Sequence, residues 1–369
     1  MNYNISAVFK GTIAMSALAM LAAGGSVLTA AGSNEARAAE FTPALKKVIA
    51  GAKKEGKLTL SWGSLLGGAN GAKKFEAIVN KKFGTNLTFS FTPGRAGPRM
   101  AVKLGQELAA GKPASTDVFP VGMTFKSKDT FMRIDYRDYL PNLPENAMKY
   151  DKHGVAFATL LIGITYNTKL VPANMVPTSL KDLLKPFWKD KIAARVSTTF
   201  MSFLALPEVM GRDGAVEFFG KLGKQARGMI RCGSGTRIAS GEFMMLYPDC
   251  GDYGPRKDVK KGMPLAHVIP SEGAGMAFWP AAIPKNASSP NAAKLYLTAL
   301  MSPEGQDFVW DTDATDFAGL PNSRIAPIIK KYKAKGIKFI DIIEAEEKHP
   351  EIRQAQRDML KALQSSMQK

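Results

Sequence analysis

One apolar stretch organises this chain: Val155-Ala156-Phe157-Ala158-Thr159-Leu160-Leu161-Ile162-Gly163-Ile164-Thr165-Tyr166. A run so apolar, interrupted only by a glycine, predicts a strand that is buried on both faces. Strand-like and helix-like stretches alternate on either side of it. We therefore interpret the run as the segment by which the chain leaves one α/β unit, after which the same alternation restarts in a second.

Upstream of this run, a helix is predicted over 43–54, with Thr42 as its cap and Pro43 in its first turn. A second helix is predicted over 73–83, and strands over 58–62, 87–92 and 117–119. Downstream, helices are predicted near 179–187, 200–210, 214–226 and 256–261, with a short one from Thr236. Strands are predicted over 192–196, 228–232, 243–247 and 266–269. This is the rhythm of parallel, helix-covered sheets.

The tail after Asn322 differs, because it is lysine-rich and then helical. One helical face carries Ile352, Ala355, Met359 and Leu363. We expect this helix to pack on the outside of a lobe, and a helix that binds a partner is the alternative.

The N-terminus has the pattern of a signal peptide over 1–38. Lys10 precedes an apolar run over 13–21, and Ala36-Arg37-Ala38 offers small residues for cleavage before Ala39. An earlier cut near Ala30 and a membrane anchor are the alternatives. A cleaved signal predicts export to the periplasm. In an exported chain, Cys232 and Cys250 are expected to form a disulfide, and two buried free thiols are the alternative.

The chain has 369 residues and a formal net charge of +18. Such a charge suits nucleic acid, an acidic membrane surface or an anionic solute. Export argues against nucleic acid, and the lysines are spread along the chain without arginine–aromatic clusters. The charge therefore favours an anionic ligand, although most of the lysines are expected on solvated helix faces.

A more specific signal is NASSPNAAKLYLTALMSPEGQ, from Asn286 to Gln306. This stretch closely resembles the C-terminal helix pair of the bacterial extracellular solute-binding proteins of the ferric-iron, thiamine and polyamine type. Further segments resemble the family in the same order, and the resemblance spans roughly 52–308. These segments are 52–57, 106–112 followed by Asp117-Val118, 163–167, 240–242 and 270–273.

The resemblance implies an α/β, two-lobed periplasmic-binding-protein (Venus-flytrap, type II) fold with the ligand between the lobes. Lobe 1 would comprise 39–162 plus 275–325, and lobe 2 would comprise 163–274. The residues from 326 to 369 would form a C-terminal helical extension. It also implies delivery of the ligand to an ABC permease in the inner membrane. Ferric-binding members carry adjacent tyrosines in the loop that here spans 246–256. This loop has one tyrosine where two adjacent tyrosines are expected, and the chain has no Tyr-Tyr pair anywhere, so the iron interpretation is weakened.

In open α/β sheets, ligands bind beyond the carboxyl ends of the strands. Two of the loops there run into predicted helices, whose free N–H groups can hold an anion. Thr198 and Thr199 would begin one helix, and Ser234 and Thr236 the other, with plain N-capping as the alternative. The candidate ligand-binding residues are Trp62, Gly63, Ser64, Thr198, Thr199, Ser234, Gly235, Thr236, Asp252, Tyr253 and Arg256.

Three side chains suggest the ligand chemistry. Arg256 could clamp a carboxylate through two hydrogen bonds, and a surface arginine is the alternative. Trp62 and Tyr253 could stack on a flat ligand, although Trp62 also suits a core position. Asp252 with Trp62 could instead hold a cationic amine. Arg95 and Arg99 follow the second strand and could steer anions.

Catalytic patterns are scarce. His153, His267 and His349 have no metal-ligand spacing, and the chain has no phosphate-binding Walker loop and no G-x-S-x-G elbow. We expect a monomeric, non-enzymatic binding component of an ABC importer that takes a small organic anion such as a carboxylate, without cofactor or metal. Ferric-iron or polyamine binding by the same fold is the alternative, and an exported hydrolase is the rival from another class.

Overall fold

The structure is a computed structural model that describes residues 41–94, 97–120 and 125–367. The predicted signal peptide (1–38) and Arg95 lie outside the described residues. Among the helices within these ranges, none combines the length and the apolar character that a membrane crossing requires.

The first sheet has two parallel strands, β1 (Lys57–Trp62) and β2 (Thr88–Pro93). Helix α1 (Pro43–Glu55) precedes them, α2 (Gly68–Phe83) connects them and α3 (Gly97–Ala109) follows. The predicted strand over 117–119 is wrong, since only single bridges form there, from Val118 to Leu60 and from Phe119 to Ala282. The reason is that a side chain replaces the ladder: the carboxylate of Asp117 accepts the N–H of Thr59 at 2.7 Å.

The second sheet has the strand order β11-β10-β4-β3, formed by β3 (Met148–Lys149), β4 (Gly154–Leu161), β10 (Ala274–Ala281) and β11 (Phe339–Asp341). The apolar run 155–166 supplies β4, which is buried throughout, and then breaks before β5 (Ile164–Asn167). The prediction of one continuous strand is therefore wrong, because β5 belongs to the next sheet. Gly163 permits the crossing, since a Cβ there would lie 2.3 Å from the carbonyl oxygen of Val268.

The third sheet has the order β7-β6-β8-β5-β9 and lies wholly between residues 164 and 268. It contains β6 (Ile192–Arg195), β7 (Ala226–Ile230), β8 (Met245–Tyr247) and β9 (Leu265–Val268). Strands β6, β7 and β8 are parallel, whereas β5 is antiparallel to both of its neighbours. Its helices are α4 (Gly211–Gln225), α5 (Gly235–Ala239) and α6 (Tyr253–Lys260).

Two predicted helices are replaced by 3₁₀ turns. The segment 179–187 forms Leu180–Leu184 and Pro186–Trp188, and the segment 200–210 forms only Ser202–Ala205. A proline disfavours helical geometry at the residue before it. Accordingly, Lys185 before Pro186 and Leu206 before Pro207 are extended, with ψ of 146° and 139°.

The chain returns to the first sheet through α7 (Pro290–Leu300) and α8 (Pro303–Asp313), and α9 (Ala326–Lys333) follows. After β11, α10 (Ile342–Lys348) leads to α11 (Ile352–Met367), which packs on α4. The predicted apolar face of α11 is its buried face, and the α/β class is confirmed. The exact lobe boundaries stay a prediction.

Candidate functional site

Three loops meet where the parallel strands β6, β7 and β8 end. Two of them are joined by a disulfide between Cys232, which follows β7, and Cys250, which follows β8; the Cα atoms lie 5.6 Å apart. The predicted pairing is therefore present, and the alternative of two free thiols is wrong. Because carboxyl ends of parallel strands are the usual ligand edge of such sheets, this is the candidate site of the second α/β unit.

Arg195, the last residue of β6, forms hydrogen bonds to the loops that follow β6 and β8. Its side chain is 1% exposed. It donates from Nε to the carbonyl oxygen of Ser197 (2.5 Å), from Nη1 to Sγ of Cys250 (2.9 Å) and from Nη2 to the carbonyl oxygen of Thr199. Burial lowers the pKa of its guanidinium to about 10, so it stays charged at neutral pH. The sequence analysis did not identify Arg195 as a site residue. The feature that could have indicated it is a single charged residue in an otherwise apolar strand.

The prediction that a helix begins at Thr198 and Thr199 is wrong. Phe200 has a φ of 76°, which ends any helical path before Ser202. Thr198 is buried and donates to the carbonyl oxygen of Gln356 in α11 at 2.6 Å, while Thr199 is exposed beside Ser197, with 2.6 Å between their hydroxyl oxygens. Only Thr199 of the pair is therefore free to meet a ligand.

A helix does begin at the second predicted loop, although it has only five residues. Ser234 precedes α5 without capping it through its side chain, and Thr236 is exposed. The carboxylate of Asp258 occupies the space beside Gly235, since a Cβ at Gly235 would lie 2.0 Å from Oδ2 of Asp258. An internal carboxylate thus already lies beside this helix start.

The predicted arginine clamp is also engaged internally. Oδ2 of Asp252 forms an ion pair with Nη2 of Arg256, and Nη1 of Arg256 donates to the carbonyl oxygen of Ala314. Asp252 is 6% exposed and also accepts the N–H of Leu161 at 3.3 Å. Burial raises the pKa of Asp252, and the charge of Arg256 opposes that rise. Arg256 is therefore neither a bare surface arginine nor a free clamp.

The two aromatic candidates differ in position. Trp62 is 5% exposed, packs against Phe91 and Tyr296, and donates from Nε1 to the carbonyl oxygen of Leu65 at 2.9 Å. It is a core residue, so the stacking role predicted for it is wrong, and so is the amine box with Asp252. Gly63 and Ser64 are exposed at the end of β1.

Tyr253 lies at the first position of α6, edge-on to the ring of Trp279 with 4.8 Å between ring centroids. Trp279 belongs to β10, which pairs with β4 in the second sheet. Tyr253 therefore places a phenol at the contact between the second and third sheets. Burial raises its pKa to about 12, so it is neutral at physiological pH.

A chain of buried polar groups lies under the loops. Oγ1 of Thr165 is 2.5 Å from Oδ2 of Asp249 and 3.1 Å from Nδ1 of His267, and Nε2 of His267 is 3.1 Å from the carbonyl oxygen of Leu161. Burial lowers the pKa of His267 to about 4, and burial raises the pKa of Asp249. The hydroxyl of Thr165, which donates to Asp249, thus links the buried acid to the buried imidazole.

Two exposed arginines lie beyond the carboxyl ends of strands, one in each α/β unit. Arg231, at the end of β7, and Arg99, in the first turn of α3, are exposed and form no ion pair with any described residue. The acidic residues of the same loops, Asp249 and Asp252, are buried and internally bonded. Within the part of the chain that the structure describes, no group of three or more His, Cys, Asp or Glu side chains is placed to hold a metal ion.

Residues 120–330 match the family described as bacterial extracellular solute-binding protein. A protein of Haemophilus influenzae, described as uncharacterized, is 27% identical over 159 residues, which are 41% of this chain and 45% of that protein. The match thus spans less than half of the relative's own length.

Two solved structures illustrate the fold. One is the Trichodesmium protein IdiA (FutA) in complex with iron and citrate, with a TM-score of 0.63, 18% identity and coverage of 84% of this chain and 99% of that chain. The other is the spermidine/putrescine ABC transporter substrate-binding protein PotD from Streptococcus pneumoniae, with calcium and HEPES. Its TM-score is 0.54 at 15% identity, and the match covers 69% of this chain and 81% of that one. At these identities the likeness shows the fold alone.

Proposed function

The chain belongs to the bacterial extracellular solute-binding proteins and has their two-lobed, type II periplasmic-binding-protein fold. From this premise we propose that it is the substrate-binding component of an ABC importer. It captures a small organic anion, such as a carboxylate, at the carboxyl-end loops and delivers it unchanged to a membrane permease. Capture takes place in the periplasm.

The charge arrangement of the loops carries the choice of an anion. Arg231 and Arg99 are exposed without an acidic partner among the described residues, whereas Asp249 and Asp252 are buried and bonded. An approaching solute therefore meets positive charge, which concentrates anions and offers charge-assisted hydrogen bonds. Ser64, after β1, and Thr199, after β6, are exposed hydroxyl groups that could add neutral hydrogen bonds.

The same geometry disfavours an amine. A cationic ligand requires an accessible carboxylate or an open aromatic face. Asp252 is paired with Arg256, and Trp62 is buried against Phe91 and Tyr296.

A ligand screen tests the proposal. Thermal unfolding of the mature protein is measured with citrate and other carboxylates, phosphate, sugar phosphates, spermidine and ferric ion, followed by calorimetry on the ligands that raise the midpoint. We expect a carboxylate to stabilise the protein and spermidine to have no effect. Stabilisation by spermidine alone would contradict the choice of an anion, and chemical turnover of any ligand would contradict the binding function itself.

A matched pair of variants then locates the site. Arg231→Gln removes an exposed charge at the end of β7 and is expected to weaken binding of the stabilising anion about tenfold or more, the usual loss for a charged hydrogen bond. Arg227→Gln removes an exposed arginine on the same strand that donates to the carbonyl oxygen of Glu242 (3.2 Å), and it should leave affinity unchanged. Equal losses in both variants would show a diffuse charge effect rather than a site.

A further inference from the structure

The solvent faces of the first two helices carry lysine as their only charged residue. In α1, the exposed residues include Lys46, Lys47, Lys53 and Lys54. These positions repeat at a spacing of seven, which places them on one helical face. The solvent face of α2 repeats the pattern, and Lys57 is exposed at the start of β1. The exposed lysines of α2 are Lys73, Lys74 and Lys81.

The two acidic residues of this segment do not offset the lysines. The side chains of both residues accept hydrogen bonds from backbone N–H groups. Glu55 accepts from Asn291 (3.1 Å) and Ala292 (2.7 Å), and Glu76 accepts from Phe89 (2.5 Å). Solvated helix faces usually mix charges, since acid–base pairs one turn apart stabilise the helix. A helix face with lysine as its only charged residue lacks that stabilisation, so the lysines are more readily explained by a role in binding.

We name the following exposed lysines of this segment the lysine surface: Lys47, Lys53, Lys54, Lys57, Lys73, Lys74 and Lys81. Helices α1 and α2 both pack on α7, and the rings of Phe41 and Phe83 join the start of α1 to the end of α2 with centroids 5.6 Å apart. The last turns of both helices lie at the amino ends of β1 and β2. Lys53, Lys54 and Lys81, in these last turns, therefore lie at the opposite ends of the strands from the carboxyl-end loops.

We infer that the lysine surface binds the headgroups of an anionic phospholipid bilayer. Lysine is a mobile point charge on a flexible stem, which suits a fluid array of phosphates better than a shaped epitope. The segment from Pro43 to Phe83 contains no arginine for bidentate contacts, and its aromatic side chains are buried or packed on the core, so none is displayed for stacking on bases. The proposal does not depend on which solute the protein carries.

Vesicle co-sedimentation of the mature protein tests this inference, with phosphatidylcholine vesicles against vesicles that also contain phosphatidylglycerol. We expect binding only to the anionic vesicles, and loss of it at high salt, because added ions screen the attraction. Retention on plain phosphatidylcholine, or no retention on the anionic vesicles at low salt, would overturn the inference. So would tight binding to DNA together with no retention on vesicles.

Two charge-matched variants separate the surface from net charge. Lys53→Glu, Lys54→Glu, Lys73→Glu and Lys74→Glu are combined in one protein, and the exposed lysines of the tail, Lys330→Glu, Lys331→Glu, Lys333→Glu and Lys338→Glu, in the other. We expect the first to bind anionic vesicles at least about tenfold more weakly and the second to change little. Equal losses would overturn the inference. A set with Gln at 53, 54, 73 and 74 repeats the comparison if the Glu set unfolds, and unchanged binding by a folded Gln set would also overturn it.

Discussion

Nζ of Lys257 lies 3.1 Å from Oδ1 of Asp313, and this ion pair joins α6 of the third-sheet unit to the end of α8 of the first. Two further cations of α6 support the contact. Arg256 donates to the carbonyl oxygen of Ala314, and the ring of Trp310 has Arg256 at 5.3 Å and Lys260 at 5.5 Å from its centroid. Cations at the C-terminus of a helix are favoured by its dipole. Since α6 begins at Tyr253, the helix that borders the candidate site also holds the two units together.

Breaking the α6–α8 contact should loosen the packing between the two units. Lys257→Gln removes a partly exposed ion pair, so the expected loss of ligand affinity is modest, about twofold to fivefold. Small-angle scattering should show a larger radius of gyration than for the wild type. Lys261→Gln is the control, because Lys261 faces Asp258 of its own helix at 3.9 Å. An unchanged radius in Lys257→Gln would show that the contact does not restrain the two units.

Replacing the buried arginine should destabilise the ligand loops. Arg195→Lys keeps the charge but cannot reach Ser197, Thr199 and Cys250 together, as the planar guanidinium does. We expect the free energy of unfolding to fall by about 2–4 kcal/mol, measured by urea denaturation. Arg227→Lys, at an exposed arginine of the neighbouring strand, should cost far less. Equal costs for the two would contradict the bridging role of Arg195.

Acid should destabilise the protein through His267. Its folded pKa of about 4 lies below the ordinary 6.5, so its stabilising contribution is complete above pH 6.5 and is lost as pH falls toward 4. The limiting slope is about 1.4 kcal/mol per pH unit for one proton. The raised pKa of Asp249 acts in the opposite direction, since its contribution is present at low pH and lost as pH rises. We therefore compare wild type with His267→Gln, whose unfolding free energy should fall less between pH 6.5 and 4.

Removing the disulfide should lower stability through the unfolded state. Cys232 and Cys250 are 18 residues apart, and closing a loop of that length is worth about 3 kcal/mol in the chain-entropy account. Unfolding of the double variant Cys232→Ser, Cys250→Ser should show this loss, as should the wild type in reductant. Because the bond also joins two ligand loops, anion affinity should decline as well. A loss of stability with intact affinity would show that the bond has no part in shaping the site.

The C-terminal helix should be integral to the fold. Leu363 is fully buried where α11 packs on α4, so Leu363→Ala is expected to lower the free energy of unfolding by about 2–5 kcal/mol. Gln364→Ala, at the exposed neighbouring position, should have little effect. If Leu363→Ala were as stable as the wild type, α11 would be a detachable segment, as in the alternative of a partner-binding helix.

Local pattern alone determined the α/β class, the crossing segment around Gly163, the pairing of Cys232 with Cys250 and the buried face of α11. Each depends on information carried within a short stretch: hydrophobic period, a long apolar run, or an isolated pair of cysteines. Local pattern misplaced the strand at 117–119 and the helices over 179–187 and 200–210. The hydrogen bond that the Asp117 carboxylate accepts and the restriction before Pro186 and Pro207 outweighed residue preference.

Only the tertiary structure decided which polar residues remain available at the site. Trp62, Thr198, Asp252 and Arg256 are engaged by partners distant in sequence, and no local pattern reports such a contact. These partners are, in the same order, Tyr296, Gln356, Leu161 and Ala314. Local pattern did not indicate the role of Arg195, because this arginine at a strand end is placed by its contact with Cys250, which is 55 residues away. A buried polar group must be satisfied, and the fold alone determines by which partner.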